Sequence, residues 1–256
     1  MAEGDSILRM ARRIDGALTG SRVSVTTPGR RRPEGLTSSS LDGLVLERVE
    51  SRGKHLLLHF EDDLTLHSHL GMHGGWHVYR PGQRWTRSSS QAWISLSGDD
   101  AEAVNFGGSF MRIGRRKRLL RDPRLVRLGP DILSPDFDPA DSVARMRGAD
   151  PRAELGEALL DQSLVAGIGN IFKSEGAFEA RIDPNRRLET LRADEITAVL
   201  AGTRDLMLAA VESGRQPKRI YRRAGEPCPR CGTRLESRAQ GDDARTTYWC
   251  PGCQTD

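Results

Sequence analysis

Four cysteines, all within the last 30 residues, constrain this chain more than any other feature. They form two Cys-x-x-Cys pairs, Cys228 with Cys231 and Cys250 with Cys253, separated by 18 residues. Each pair fits a tight turn that points two sulfurs at one ion, and the intervening stretch is long enough for a hairpin that closes the pairs on one another. The chain opens on MAEGDS, acidic where a secretory leader would be basic and then apolar, so thiols kept reduced in the cytoplasm are expected, not disulfides. One Zn2+ held by Cys228, Cys231, Cys250 and Cys253 is the resulting expectation. With four protein ligands no coordination position is left for water, so the zinc should be structural. The hairpin it holds would carry Arg234, Arg238 and Arg245.

The rest of the chain has room for an enzyme. Its 256 residues suffice for one large domain or two modest ones plus the small metal module. Between residues 6 and 18 the apolar positions Ile7, Leu8, Ala11, Ile14 and Leu18 recur at helical spacing, with Asp5 or Ser6 able to cap the helix. The period then changes. Residues 23–25, 44–50, 55–60, 64–70, 76–79, 93–97 and 102–106 read as strands separated by Gly, Pro, Asp and Ser, which predicts an antiparallel sandwich or barrel. Residues 28–35 and 85–90 read as loops. After about residue 135 helical patterns take over, from a cap at Asp138 through 154–165 to a long helix at 193–211 ending near Ser213 and Gly214. The fold class is therefore α+β, with a β domain at 1–135, a helical domain at 136–224 and the metal module at 225–256.

Charge and histidine placement bear on function. The net charge is only +4, but residues 107–128 hold Arg112, Arg115, Arg116, Lys117, Arg118, Arg121, Arg124 and Arg127 against the single acid Asp122. A second cluster gathers Arg215, Lys218, Arg219, Arg222 and Arg223. Such stripes fit a phosphate-backbone binder, and equally a solvated basic loop. All six histidines lie between His55 and His77. His67 and His69 would share one strand face and could ligate a second metal, as in a metal-dependent nuclease, but no third ligand sits at an obviously matching spacing. No apolar run approaches a membrane span, so a soluble cytoplasmic protein is expected, and no sign of an oligomer interface argues against a monomer.

The motifs together resemble one family, the formamidopyrimidine-DNA glycosylases and endonucleases VIII of base excision repair. They are AEGD after Met1, SRGKHL at 51–56, HLGMHG at 69–74, LLDQSLVAGIGNIFKSE at 159–175, and the finger segments at 225–232 and 245–254. The resemblance implies an N-terminal helix on a β-sandwich, a helix-two-turns-helix domain that binds DNA, and a zinc finger. It implies an enzyme that flips a damaged base from DNA, attacks the sugar with the N-terminal amine, and cleaves the abasic site. That amine would belong to Ala2 once Met1 is removed, with Glu3 as proton donor and Lys54 as the lysine that contacts a phosphate and assists catalysis. An α-amino group titrates at roughly 7.7 to 8.0, far below a lysine, so it is a nucleophile near neutrality without a desolvating pocket. Met72 matches the residue that fills the hole left by the flipped base, and Asn170 and Arg245 match groups that hold phosphates.

Three departures matter. The family places proline where this chain has Ala2, and an alanine imine can lose its proton and become a poor electron sink, so base excision is expected to survive better than strand cleavage. A weakened or inactive damaged-DNA binder of the same fold is the alternative. The arginine and phenylalanine that the formamidopyrimidine branch intercalates have no clear counterpart in NFGGSFMRIGRR at 105–116. The stretch 212–227 is also short for that branch's lesion-capping loop. Both point to the endonuclease VIII branch and to oxidised pyrimidines.

Overall fold

The computed structural model describes residues 2–242 and 244–255, and these divide into two compact units, Met1–Val126 and Arg127–Asp256. The first opens with α1 (Gly4–Leu18), whose Ile7, Ala11, Ile14 and Leu18 all point into one core. The helix begins earlier than its apolar spacing suggests. Its N-cap is Glu3, not Asp5 or Ser6, because Ser6 closes a reciprocal capping box with Glu3. At the far end Asp15 reaches out of the helix and accepts a 2.9 Å hydrogen bond from Val49 N, tying α1 to the sheet behind it.

Two sheets follow. One runs β1 (Ser24–Thr26), β7 (Ala92–Ser97), β8 (Glu102–Phe106), β6 (Gly75–Tyr79). The other runs β2 (Glu34–Gly35), β9 (Phe110–Arg115), β5 (Leu64–His69), β4 (His55–Phe60), β3 (Leu46–Arg52). All pairings are antiparallel except β2 on β9. Strand alternation sends Leu56, Leu58 and Phe60 of β4 into the sandwich core with Trp93, Leu96 and Met111, while His55, Leu57 and His59 face outward. That outer face is not left wet: Leu57 and His59 are fully buried. Short helices α2 (Arg116–Leu119) and α3 (Pro123–Val126) follow β9, and Gly114 leaves room for Leu119, whose Cγ would stand 3.4 Å from a Cβ there.

β9 and β2 are the elements that composition concealed. Four of the six residues of β9 are Arg, Gly or Met, so the stretch reads as part of a basic stripe. It is nonetheless a central strand, with Met111 and Ile113 pointing into the core. β2 lies within the stretch 28–35 that reads as loop, and it is only two residues long, set by its pairing with β9.

In the second unit Asp138 caps α4 (Pro139–Arg147) by accepting from Ala140 N at 2.9 Å. Residues 127–135, read from sequence as the end of the β domain, belong here: Gly129 N donates to Gln162 O, Ala166 N to Pro130 O, and Ile132 N to Ala166 O. α5 (Leu155–Leu160) is shorter than the pattern through 165 suggests. Asp161 turns the chain by accepting from Ser163 N and Oγ, and the Gln162 side chain bonds Leu160 O, Ile168 O and Gly167 N. Two turns thus lead into α6 (Asn170–Glu179), which is buried on every side from Asn170 to Phe178. α7 (Ala193–Ser213) ends on Gly214 in the left-handed conformation, as the sequence predicts. It packs so closely on α6 that a Cβ at Gly176 would fall on the Thr203 hydroxyl. The hairpin β10 (Glu236–Gln240) and β11 (Arg245–Trp249) completes this unit.

Candidate nucleic-acid interface and metal centre

The first unit presents Ala2 and Glu3, a lysine turn and an exposed methionine. Ala2 is half-buried against the sandwich core, and Glu3 beside it is fully buried. The capping box fixes the Glu3 backbone, with Glu3 N donating to Ser6 Oγ at 3.0 Å and Ser6 Oγ to Glu3 O at 2.8 Å. The carboxyl is therefore carried at the amide-rich start of α1, one residue from Ala2. Lys54 lies in the two-residue turn that joins β3 to β4, where Arg52 faces His55. Such a turn needs a positive φ, and Gly53 supplies it at 57°. Met72 sits on the 70–74 loop and is 60 % exposed, where composition alone would place a methionine in the core. Its loop is pressed onto a second one: a Cβ at Gly74 would come within 2.7 Å of Gly108 Cα.

Pairing of β4 with β5 puts His55 opposite His69 and beside His67, so a third imidazole does join the pair that sequence spacing singled out. His55 Nδ1 lies 2.9 Å from His67 Nε2, His69 Nδ1 lies 2.6 Å from Ser109 Oγ, and the Phe110 ring is stacked on His69 and edge-on to His67. Burial, then the neighbouring His67, pushes His55 down to about 2. Burial brings His67 to about 4, against the pull of Asp122, and lowers His69, which also faces Lys54. These rings are neutral, packed groups at ordinary pH. Among the described residues only the four cysteines gather as a metal-binding group, so the histidines give a metal-dependent nuclease no support.

The basic stripe divides in two. Arg112 pairs with Asp122 at 3.2 Å and Glu34 at 3.5 Å, Arg116 bonds Glu47 and Phe60 O, and Arg124 lies 4.5 Å over the Phe110 ring. Those three brace the outer face of the sheet. Lys117, Arg118, Arg121 and Arg127 are exposed.

In the second unit the N-cap of α6 is Gly169, and Asn170 is the first helical residue. Its Nδ2 donates to Thr246 O at 2.8 Å, so this side chain joins the helix to the hairpin next to Arg245. Arg245 starts β11, exposed, with its backbone paired to Gln240. Two residues of the same helix escape sequence reasoning. Lys173, fully buried, donates to Thr247 Oγ1 at 2.6 Å; Thr247 donates to Gln240 Oε1, and Gln240 Nε2 to Glu154 Oε2 at 2.7 Å. Glu175, fully buried, accepts from Ile220 N and Tyr221 N at 2.9 Å each and pairs with Arg219, anchoring the second basic cluster. A helix with apolar residues on every side was the available signal: charged residues in it must be buried and hence partnered.

The four cysteine sulfurs lie within 4.8 Å of one another, with Cys228 to Cys253 at 3.8 Å and Cys231 to Cys250 at 3.5 Å. A tetrahedral zinc with Zn–S near 2.3 Å requires sulfur separations of about 3.8 Å, so the thiols fit one structural Zn2+ with all four positions filled by protein. Zinc held there would staple β10 and β11 and with them Arg245.

Comparison with known proteins accounts for this arrangement. Residues 1–109 match the model for the formamidopyrimidine-DNA glycosylase N-terminal domain, 128–221 its H2TH domain, and 225–255 the zinc finger found in FPG and IleRS. The chain belongs to the formamidopyrimidine-DNA glycosylase and endonuclease VIII family. Within it the chain is 40 % identical to a probable endonuclease 8 2 of Streptomyces coelicolor, over 99 % of this chain and 94 % of that one. It is 34 % identical to the DNA-(apurinic or apyrimidinic site) lyase Nei2 of Mycolicibacterium smegmatis, over 100 % and 99 % of the two chains. The fold also matches Lactococcus lactis Fpg solved with DNA containing N7-benzyl-Fapy-dG, with a TM-score of 0.85 and 21 % identity over 100 % of both chains.

Proposed function

We infer that this protein is a DNA glycosylase and AP lyase of base excision repair, acting on damaged DNA through its N-terminal amine. The observation that carries the reading is Glu3: a fully buried carboxyl one residue from the candidate nucleophile, fixed by a capping box at the start of α1. Capping the helix needs no acid, since serine or asparagine caps as well, and a protein that only bound DNA has little use for a carboxyl beside phosphates. Ala2, freed by removal of Met1, attacks the anomeric carbon of the damaged nucleotide; Glu3 protonates the sugar ring oxygen or departing base, and the sugar opens as the imine forms. Lys54 contacts a phosphate beside the lesion, Met72 enters the space vacated by the base, and Asn170 and Arg245 hold phosphates. The kinship with endonuclease 8 proteins, and the loop 107–109 without large side chains, favour oxidised pyrimidines as substrates. A DNA substrate puts its place of work at the nucleoid in the cytoplasm; among the described residues no helix is long and apolar enough to cross a membrane.

Borohydride trapping on duplexes carrying an oxidised pyrimidine or an abasic site tests this reading. A covalent adduct at Ala2 that Glu3→Gln diminishes is expected. Absence of adduct and of base release across a wide lesion panel, with Glu3→Gln changing nothing, would reduce the protein to a damaged-DNA binder, the alternative that Ala2 in the proline position raises.

A further inference from the structure

Arginine suits the backbone poorly at position 222. Residues 220–223 form a turn closed by Arg223 N, which donates to Ile220 O at 3.0 Å, and Arg222, the third residue of that turn, holds φ at 61°. Glycine or asparagine normally fills such a position, because in an ordinary residue the Cβ crowds the following carbonyl oxygen. The turn is not free to relax. Glu175 accepts from Ile220 N and Tyr221 N at 2.9 Å each, which fixes the first half of the turn to α6, and the Tyr221 ring stands edge-on to Tyr248 of β11, 5.3 Å between centres. Strain kept in place by its surroundings concentrates where side chains have work to do.

The turn also sorts the second basic cluster. Arg219 pairs with Glu175 at 3.5 Å and Glu179 at 2.6 Å, and Arg223 pairs with Glu226 at 2.7 Å while donating to Arg219 O at 2.9 Å. Both are committed to holding the segment together. Arg222 is exposed, with its guanidinium 5.5 Å from the centre of the Tyr221 ring. The same junction carries the residues already assigned to DNA: Tyr248 N donates to Ser174 Oγ at 3.4 Å, Ser174 Oγ donates to Asn170 O at 3.2 Å, and Arg245 begins the strand to which Tyr248 belongs.

We propose that Arg222 is a further backbone-phosphate contact beside Asn170 and Arg245, and that the turn keeps a strained arginine, where glycine would be at ease, for that contact. The inference rests on the reading of Asn170 and Arg245 as residues that hold phosphates. A guanidinium presents a planar fork of donors that matches a phosphate, and the tyrosine ring beneath it limits the side-chain freedom lost on binding. A residue chosen for the fold alone would be glycine, since an exposed side chain adds nothing to the core.

Variants of the full-length protein separate charge from strain. Arg222→Gly relieves the turn and removes the cation, Arg222→Gln removes the cation and leaves the strain, and Arg222→Lys keeps both. Each is melted thermally and titrated, over a series of salt concentrations, with a duplex carrying a tetrahydrofuran abasic site. Arg222→Gly should melt about 3 °C above wild type yet bind about fivefold more weakly, with the slope of log affinity against log salt shallower by about one. Arg222→Gln should show the same affinity and slope without the gain in melting temperature, and Arg222→Lys should keep the wild-type slope. Wild-type affinity and slope in Arg222→Gln would overturn the proposal. So would a lower melting temperature in Arg222→Gly, which would make this arginine a brace for the finger. Wild-type protein that bound no DNA at all would instead overturn the functional reading on which the proposal rests.

Discussion

Acid should loosen the sandwich unit through its buried imidazoles before its carboxylates titrate. His67 is fully buried, with Nε2 against His55 Nδ1 at 2.9 Å and its ring edge-on to Phe110, and burial brings its pKa to about 4 from 6.5. A histidine depressed in this way contributes its whole share of stability above pH 6.5. That share is lost as pH falls towards the folded value, because only the unfolded chain takes up the proton. From pH 6.5 to pH 5 one such histidine costs about 2 kcal/mol, at roughly 1.4 kcal/mol per pH unit. His55, pushed to about 2, titrates with it as a pair and adds to the loss. Glu50 does not contribute in this window: held at about 2 by His59 and Arg48, its contribution is whole above pH 4.5 and fails below. Urea unfolding followed by tryptophan fluorescence is the assay, since Trp76, Trp85 and Trp93 lie in the sandwich unit and only Trp249 in the other. His67→Leu should lose about 2 kcal/mol less than wild type over the same interval, while the further losses from His69 and His77, both lowered by burial, stay in both proteins. A wild-type stability that is flat from pH 7.5 to pH 5, or an identical slope in His67→Leu, would refute the reasoning.

Gly176→Ala should destabilise the second unit by about 1–3 kcal/mol, because the new methyl lands on Thr203, and Thr203→Ala in the same chain should recover part of it in thermal melts. Stripping zinc with a strong chelator should free the hairpin that carries Arg245 and abolish DNA retention in a gel-shift assay, leaving the sandwich tryptophans' unfolding midpoint where it was; retention at full strength would mean the finger does not hold DNA. Ala2→Pro should raise strand cleavage relative to base release on a duplex carrying an oxidised pyrimidine, since the proline imine stays cationic; an unchanged ratio of the two products would show that the imine's charge does not limit elimination.

Much of this protein was legible in the chain itself, and for a local reason in each case. The zinc site depends on residue spacing within two turns, so Cys228, Cys231, Cys250 and Cys253 could be read directly. α1 and α7 follow from helical periodicity, although the α1 cap, Glu3, does not, and Asp138 and Gly214 start and stop helices through bonds to their own neighbours. The candidate site residues Ala2, Glu3, Lys54, Met72, Asn170 and Arg245 rest on motifs, which are local in sequence. Residues whose role depends on partners distant in sequence were hidden. β9 looks like a basic loop until β5 and β2 pair with it, and Arg112 and Arg116 look like DNA ligands until Asp122 and Glu47 meet them. His55 joins His67 and His69 only through sheet register, and Lys173 and Glu175 find their partners 74 and 45 residues away.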